Sequence, residues 1–200
     1  MEAKRLIIVA VGGQGNLLAS RVLGEAALLS GVAVRMSEIH GMAQRGGVVE
    51  SAMVFGDARS PIISDGEADI LLGFEPAETL RALRKCNPGS IAITNLSPLT
   101  PFTVTIGLGT YPGLGQIRKL LRAKVRKLVA FDATALAKQA GNVMAVNMVL
   151  LGALLHEEAL PLTTENVQTA IRTRTRKAFV ETNLKAFDLG FEAAAGASEG

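Results

Sequence analysis

The chain has 200 residues, 48% of them hydrophobic and 20% charged, with a mean hydropathy of +0.31. That is enough apolar chain for one good-sized core and too little charge for a disordered polymer, so one domain is expected over residues 1–190, with 191–200 as a frayed tail. A net charge of +3, no Trp and a single Tyr fall short of the clustered cations and stacking aromatics of a nucleic-acid binder, and no nucleic-acid partner is expected.

The chain opens with the apolar run Arg5 to Val11, "RLIIVAV", the pattern of a strand buried on both faces of a parallel sheet. The run is too short for a membrane span or a secretory leader, so a cytoplasmic protein without a membrane partner is expected. Glycines follow, and then Leu17, Leu18, Val22, Leu23, Ala26, Ala27 and Leu29 recur at helical spacing, with Gly31 as a stop. "VAVRMSE" returns to extended chain, which completes a βαβ unit with a right-handed crossover. Further on, "VVESAMVFG", "DILLGF", "GSIAITN", "PFTVTIG" and "KLVAFDA" read as strands, and "PAETLRALRKC" as a short helix with Pro76 in its first turn. From residue 133 the pattern is helical. The predicted fold is α/β, an open, mostly parallel Rossmann-like sheet flanked by helices, with a helical C-terminal third.

Cys86 is the only cysteine. It cannot form an internal disulfide or supply the four thiolates of an iron–sulfur cluster, and it reads as an idle thiol.

Two stretches carry chemistry. The first is "VGGQG", where the first strand hands over to the first helix: Gly12, Gly13, Gln14 and Gly15 would let a phosphate or nucleotide approach the helix N-terminus. It is not a Walker loop, because Asn16 and Leu17 stand where Lys and Ser/Thr belong. It is not a full dinucleotide fingerprint either, since Leu18 occupies the third glycine position. Glu38 lies near the end of the second strand, where a ribose-binding acid would sit. The glycines could equally serve only to pack the turn.

The second stretch is "SEIHGMAQRGG", residues 37–47. Gly41, Gly46 and Gly47 remove side chains, so that a cofactor or a second backbone can come close. Arg45 offers a planar fork for a carboxylate or phosphate, and His40 can change charge near neutral pH. Gln44, Ser37 and Glu38 add hydrogen-bonding groups. The alternative is a purely structural loop in which Arg45 pairs with Glu38 or Glu50.

"GGQG", "SEIHGMAQRGG", "DILLGFEPAETLRAL", "NMVLLGALL" and "NLKAF", in this order, resemble the small subunit of the indolepyruvate:ferredoxin oxidoreductases. More broadly they resemble the gamma domain of the 2-oxoacid:ferredoxin oxidoreductases, including those acting on pyruvate and 2-oxoglutarate, and "HGMAQRGG" is similar to the arylpyruvate branch. The resemblance implies an obligate subunit, inactive alone, of an enzyme that decarboxylates a 2-oxoacid oxidatively to an acyl-CoA. It implies CoA as co-substrate, thiamine diphosphate, Mg and 4Fe-4S clusters on a large partner subunit, ferredoxin as acceptor, and no metal on this chain. The CoA-facing or partner-facing residues would be Gly12 to Gly15, Glu38, Gln44, Arg45, Gly46, Gly47 and Asn95, with His40 and Arg45 as candidates for chemistry. A free-standing NAD-binding protein is the alternative from another class.

Other positions read as structural. Asn147 is a polar group inside a helix apolar on nearly every face, and must find a partner. That helix needs cover on all sides, from its own chain or from another subunit. His156 complements a helix C-terminus. Asp65, Glu67 and Asp69 read as solvated turn acids; the cations at 118–127 read as a solvated face, with steering of CoA phosphates or an acidic ferredoxin as the second reading, and those at 172–177 as surface, with a subunit contact as the second reading.

Overall fold

A computed structural model describes residues 2–41 and 47–199. In chain order the elements are β1 (Lys4–Val11), α1 (Asn16–Leu29), β2 (Val34–His40), β3 (Val48–Phe55), β4 (Ala68–Gly73), α2 (Pro76–Ala82) and β5 (Cys86–Asn95). Then follow α3 (Phe102–Thr105), α4 (Leu114–Lys124), β6 (Lys127–Phe131), α5 (Ala133–Ala140), α6 (Val146–His156), α7 (Thr164–Arg174), α8 (Val180–Gly196) and β7 (Ser198–Glu199).

The strands form one sheet in the order β2-β3-β1-β4-β5-β6-β7. β1, β4, β5 and β6 are parallel neighbours. β3 runs antiparallel between β1 and β2, and β7 antiparallel to β6. The mostly parallel α/β sheet expected from the buried runs is therefore present. The βαβ unit is altered, however, because β1 and β2 are parallel without being adjacent. β3 returns directly from β2 and occupies the place beside β1.

The period of two along the strands divides the core between two faces. Leu6, Ile8, Ala10, Ile70, Leu72, Ile91 and Ile93 face the layer of α1, α5, α6, α7 and α8. Ile7, Val9, Leu71, Ala92 and Leu128 face the smaller layer of α2 and α4. Because both faces are covered, β1 and β4 read as unbroken apolar runs.

Every residue from Val146 to Leu155 in α6 is buried, against cover from this chain itself. α6 is the central core helix, and no second subunit is needed to explain its composition. Its approach to α8 is backbone on backbone. A Cβ on Gly152 would collide with the Phe187 carbonyl, and one on Gly190 with the Val149 carbonyl. Side chains at either place would hold the helices apart, so the glycines set their spacing.

Two local expectations are corrected. "PFTVTIG" forms the single helical turn α3 rather than a strand, since Thr105 and Val104 donate N–H to the Pro101 carbonyl. The tail expected to fray over 191–200 is structured through residue 199: α8 runs to Gly196, and Ser198–Glu199 pair with β6. Ala194, buried on the sheet, anchors the last turn of α8 and brings the chain back to the sheet edge.

Candidate functional site at the carboxyl ends of the parallel strands

β1 leads through α1 to one side of the sheet, while β4 and the strands after it build the other side. The sheet therefore has its topological switch point between β1 and β4, where open α/β sheets bind ligands beyond their carboxyl ends. Both ends are shaped by glycine. β1 runs into Gly12 to Gly15, with Gly13 at φ +103° and Gly15 at φ +84°, a left-handed backbone that favours glycine. Gly15 is also crowded: an added Cβ would lie 2.6 Å from Asn147 Nδ2. At the end of β4, a Cβ on Gly73 would collide with Thr79, so that α2 can pack tightly behind the strand.

Gln14 braces the switch point. Its Oε1 accepts the Val11 N–H at 2.8 Å, and its Nε2 donates to the Phe74 carbonyl at 3.2 Å. The side chain thus ties β1 to the end of β4. Asn95 does the same one strand further on, and it is 1% exposed. Its Nδ2 donates to Phe74 O at 3.1 Å and Thr134 Oγ1 at 3.1 Å, while its Oδ1 accepts from Ser97 N at 3.1 Å and Ala133 N at 3.0 Å. An amide so fully engaged holds the loop ends in position.

Glu75, also buried, holds the far wall. Its carboxylate accepts Glu78 N–H at 3.0 Å, capping α2, Leu99 N–H at 3.3 Å, and the Tyr111 hydroxyl. Burial and the neighbouring Glu75 carboxylate push the Tyr111 hydroxyl pKa upward, so that it stays a donor.

Between these braces lies a cleft of about 370 Å³. Gly12, Gly13 and Gln14 form one wall, Ser97 to Leu99 another, and Thr134, Val143, Met144 and Val146 close it. The glycine turn is open, with Gly13 exposed. Leu99, Val143 and Met144 are 48%, 46% and 60% exposed, an apolar rim around a polar floor. The walls contributed by Ser97 to Leu99, Thr134 and Met144 were not singled out from sequence. The signal was their place immediately after β5 and β6 or before α6, where the same switch-point rule applies.

The second predicted stretch meets the first through its end. Gly12 N–H donates to Gly47 O at 2.8 Å, and Asn16 Nδ2 donates to Val49 O at 3.1 Å while its Oδ1 accepts the Ser51 hydroxyl at 2.8 Å. Gly41 N–H pairs with Val48 O at 2.8 Å, closing the neck of the loop. Gln44, Arg45 and Gly46 lie outside the described residues, and of His40 only the backbone, the last residue of β2, is described.

Glu38 stands away from the glycine turn. β2 stands two strands from β1, and the Glu38 Oε1 accepts the Ser20 hydroxyl on α1 at 3.1 Å. Insertion of β3 displaces it from the place where a dinucleotide ribose is read, which removes the main geometric support for an NAD-binding protein. Asn147 finds the expected loop backbone, donating to Gly15 O at 3.3 Å. Cys86 is buried, and desolvation pushes its thiol up to about 11, so it is neither a nucleophile nor a ligand at neutral pH. Among the described residues no cluster of three metal-ligating side chains occurs, and no helix is long and apolar enough to cross a membrane.

Comparison with known proteins agrees with this architecture. Residues 5–193 match the family described as pyruvate ferredoxin/flavodoxin oxidoreductase, and the chain belongs to that family. Within it, the chain is 43% identical to indolepyruvate oxidoreductase subunit IorB of Pyrococcus horikoshii and 40% identical to that of Thermococcus kodakarensis, covering 97% of both chains in each case. The keto/oxoacid ferredoxin oxidoreductase gamma subunit of Geobacter sulfurreducens superposes with a TM-score of 0.70 at 27% identity, over 97% of this chain and 99% of that one. A 2-oxoglutarate:ferredoxin oxidoreductase from Magnetococcus marinus shares the fold at a TM-score of 0.73 and 17% identity. There this chain's 98% corresponds to 32% of a longer chain.

Proposed function

We propose that the chain is the small, gamma-type subunit of an indolepyruvate:ferredoxin oxidoreductase, and that its switch-point cleft receives CoA. The observation that carries the CoA assignment is the open glycine turn at the mouth of that cleft. Gly12 and Gly13 bring backbone close to a ligand, and the first-turn N–H groups of α1 provide an anion-seeking end. The apolar rim of Leu99, Val143 and Met144 suits a flexible arm of mixed amide and methylene character, and Thr134 and Gln14 give it polar contacts.

The chain's own part in the reaction is binding and placement. Thiamine diphosphate, Mg and 4Fe-4S clusters belong on the large partner, which supplies the decarboxylation and electron-transfer chemistry to ferredoxin. Gln14, Asn95 and Glu75 keep the cleft walls in place, so that the CoA thiol is presented at the rim, where the partner closes the composite site. Gly47 sits beside that rim through the Gly12–Gly47 bond, and Arg45, two positions before it in sequence, offers the guanidinium that would meet a phosphate or a partner carboxylate. The family relationship and the lone buried cysteine support this division of labour, and the reading takes the complex to work in the cytoplasm.

The test is reconstitution with the large subunit. Arylpyruvate oxidation is expected only when both chains are present. CoA should slow amide exchange at residues 12–15 in the complex, and Arg45→Ala should raise the KM for CoA or lower turnover. Unchanged exchange at the turn together with unchanged kinetics in Arg45→Ala would reject the assignment of the cleft.

A further inference from the structure

No charged side chain occurs from Leu96 to Ile117. Residues 96–113 of this run form a strap from β5 to α4, with α3 in its middle. The strap starts beside the glycine cleft, because Leu99 belongs to both. Its two feet are tied to one buried carboxylate: Glu75 accepts the Leu99 N–H at one end and the Tyr111 hydroxyl at the other. Between those feet the described residues make no hydrogen bond to the body of the domain. The bonds of Val104, Thr105 and Gly107 stay inside the strap, on the Pro101 and Val104 carbonyls. No described residue from 100 to 110 joins either core cluster.

The strap still presents apolar surface. Leu99 and Ile106 are each 48% exposed, and Leu108 is 78% exposed. Leu114, in the first turn of α4, carries the patch onward. Contiguous apolar surface left in water marks a place where another surface comes to rest.

Charge fixes the kind of surface. No carboxylate occurs between Glu78 and Asp132, and without the six cations at 118–127 a chain of net charge +3 would be net negative. α4 buries Ile117 and Leu121 against the sheet and turns Arg118, Lys119 and Arg122 outward. Arg118 stands one turn after Leu114, so the apolar strap runs directly into this cationic face. Gly115 and Ala123 are too small to fill the space between the long cationic stems, which leaves a shallow recess of about 470 Å³. Such a face attracts and seats carboxylate side chains.

We propose that the strap and α4 form one docking surface for a protein whose own surface has an apolar centre and an acidic border. An apolar centre beside a polar rim is the ordinary layout of a protein–protein interface. The occupant, on the function proposed above, is the large subunit. A partner resting on Ile106 and Leu108 reaches Leu99, and with it the mouth of the cleft that the composite site needs closed. A second copy of this chain would bring cations, not carboxylates, to the matching place.

The experiment measures binding of the purified large subunit to the immobilised full-length chain. Leu108→Asp and Ile106→Asp should each weaken binding about ten-fold or more. Leu28→Asp, at a residue 69% exposed on α1 in the opposite layer, should not. Leu108 lies outside both core clusters, so its variant should keep the parent urea midpoint. Lys119→Glu should slow association roughly three-fold or more and reduce its dependence on salt, with little change in the dissociation rate. Affinity in Leu108→Asp within about two-fold of the parent, or association indifferent to Lys119→Glu, would overturn the surface. Self-association or binding to anionic vesicles that Leu108→Asp abolishes, with large-subunit binding intact, would overturn the choice of partner and so the proposal. If the unmodified chains form no complex, this surface and the proposed function fall together. If the complex and its CoA-dependent turnover survive Leu108→Asp, only this surface falls.

Discussion

Gly12 donates its N–H to the carbonyl of Gly47 at 2.8 Å, joining the two glycine-containing stretches that stand 35 positions apart in the chain. The bond extends the β1–β3 ladder past its last pair, Val11 and Val48. The antiparallel insertion of β3 is therefore what brings Gly47, just before β3, to the mouth of the cleft. In a plain βαβ arrangement, with β2 beside β1, the end of β2 would occupy that place instead.

The glycine turn should be more sensitive at Gly15 than at Gly13. Both have left-handed backbone, which costs an alanine about 1–2 kcal/mol. Only Gly15 also faces Asn147, with Nδ2 at 2.6 Å from an added Cβ, whereas Gly13 has open space. Urea unfolding of the two alanine variants should show Gly15→Ala losing distinctly more, and equal losses would contradict the crowding.

Gly152→Ala and Gly190→Ala should each lose about 3 kcal/mol or more, at the upper end of overpacking effects. The obstacle in both cases is helix backbone, which cannot turn aside as a side chain can. Gly196→Ala, in open space at the end of α8, should be close to neutral. Denaturant midpoints with an unchanged slope would establish the contrast.

Asn95→Ala should destabilise by roughly 3 kcal/mol, because it strands the buried Ala133 N–H and removes a partner from Phe74 O. It should also loosen the Ser97 to Leu99 wall. In the reconstituted complex the KM for CoA should then rise more than turnover falls, and the reverse split would show that Asn95 acts elsewhere.

Stability should decline on the alkaline side. Cys86 and Tyr111 both have folded-state pKa values above their ordinary ones. Their contributions are complete below the unfolded-state values and are lost as pH climbs toward the folded ones. For Cys86 the interval runs from 9.0 to about 11, at most about 3 kcal/mol. Replacing Cys86 by alanine should flatten that part of the pH–stability curve. Tyr111→Phe should remove the contribution that begins near pH 10 and leave Glu75 one donor short. A curve that stays flat to pH 11 in the unmodified protein would refute both.

Much of this protein is readable from residue order. Unbroken apolar strands mark a sheet covered on both faces, helical spacing marks α1 and α8, and a glycine turn after β1 marks the end of the sheet where the proposed cleft opens. Each of these follows from local period or backbone freedom, properties that travel with the sequence. Strand order does not travel with it. "VVESAMVF" would form a strand on either side of β1, and only the packed sheet places it between β1 and β2 and so parts Glu38 from the glycine turn. Residue type likewise left Asn95 and Asn183 alike. Tertiary contacts give the first a full set of partners and leave the second with none among the described residues, because a hydrogen bond depends on which distant atoms the fold brings within 3.5 Å, and no pattern of neighbours along the chain encodes that distance.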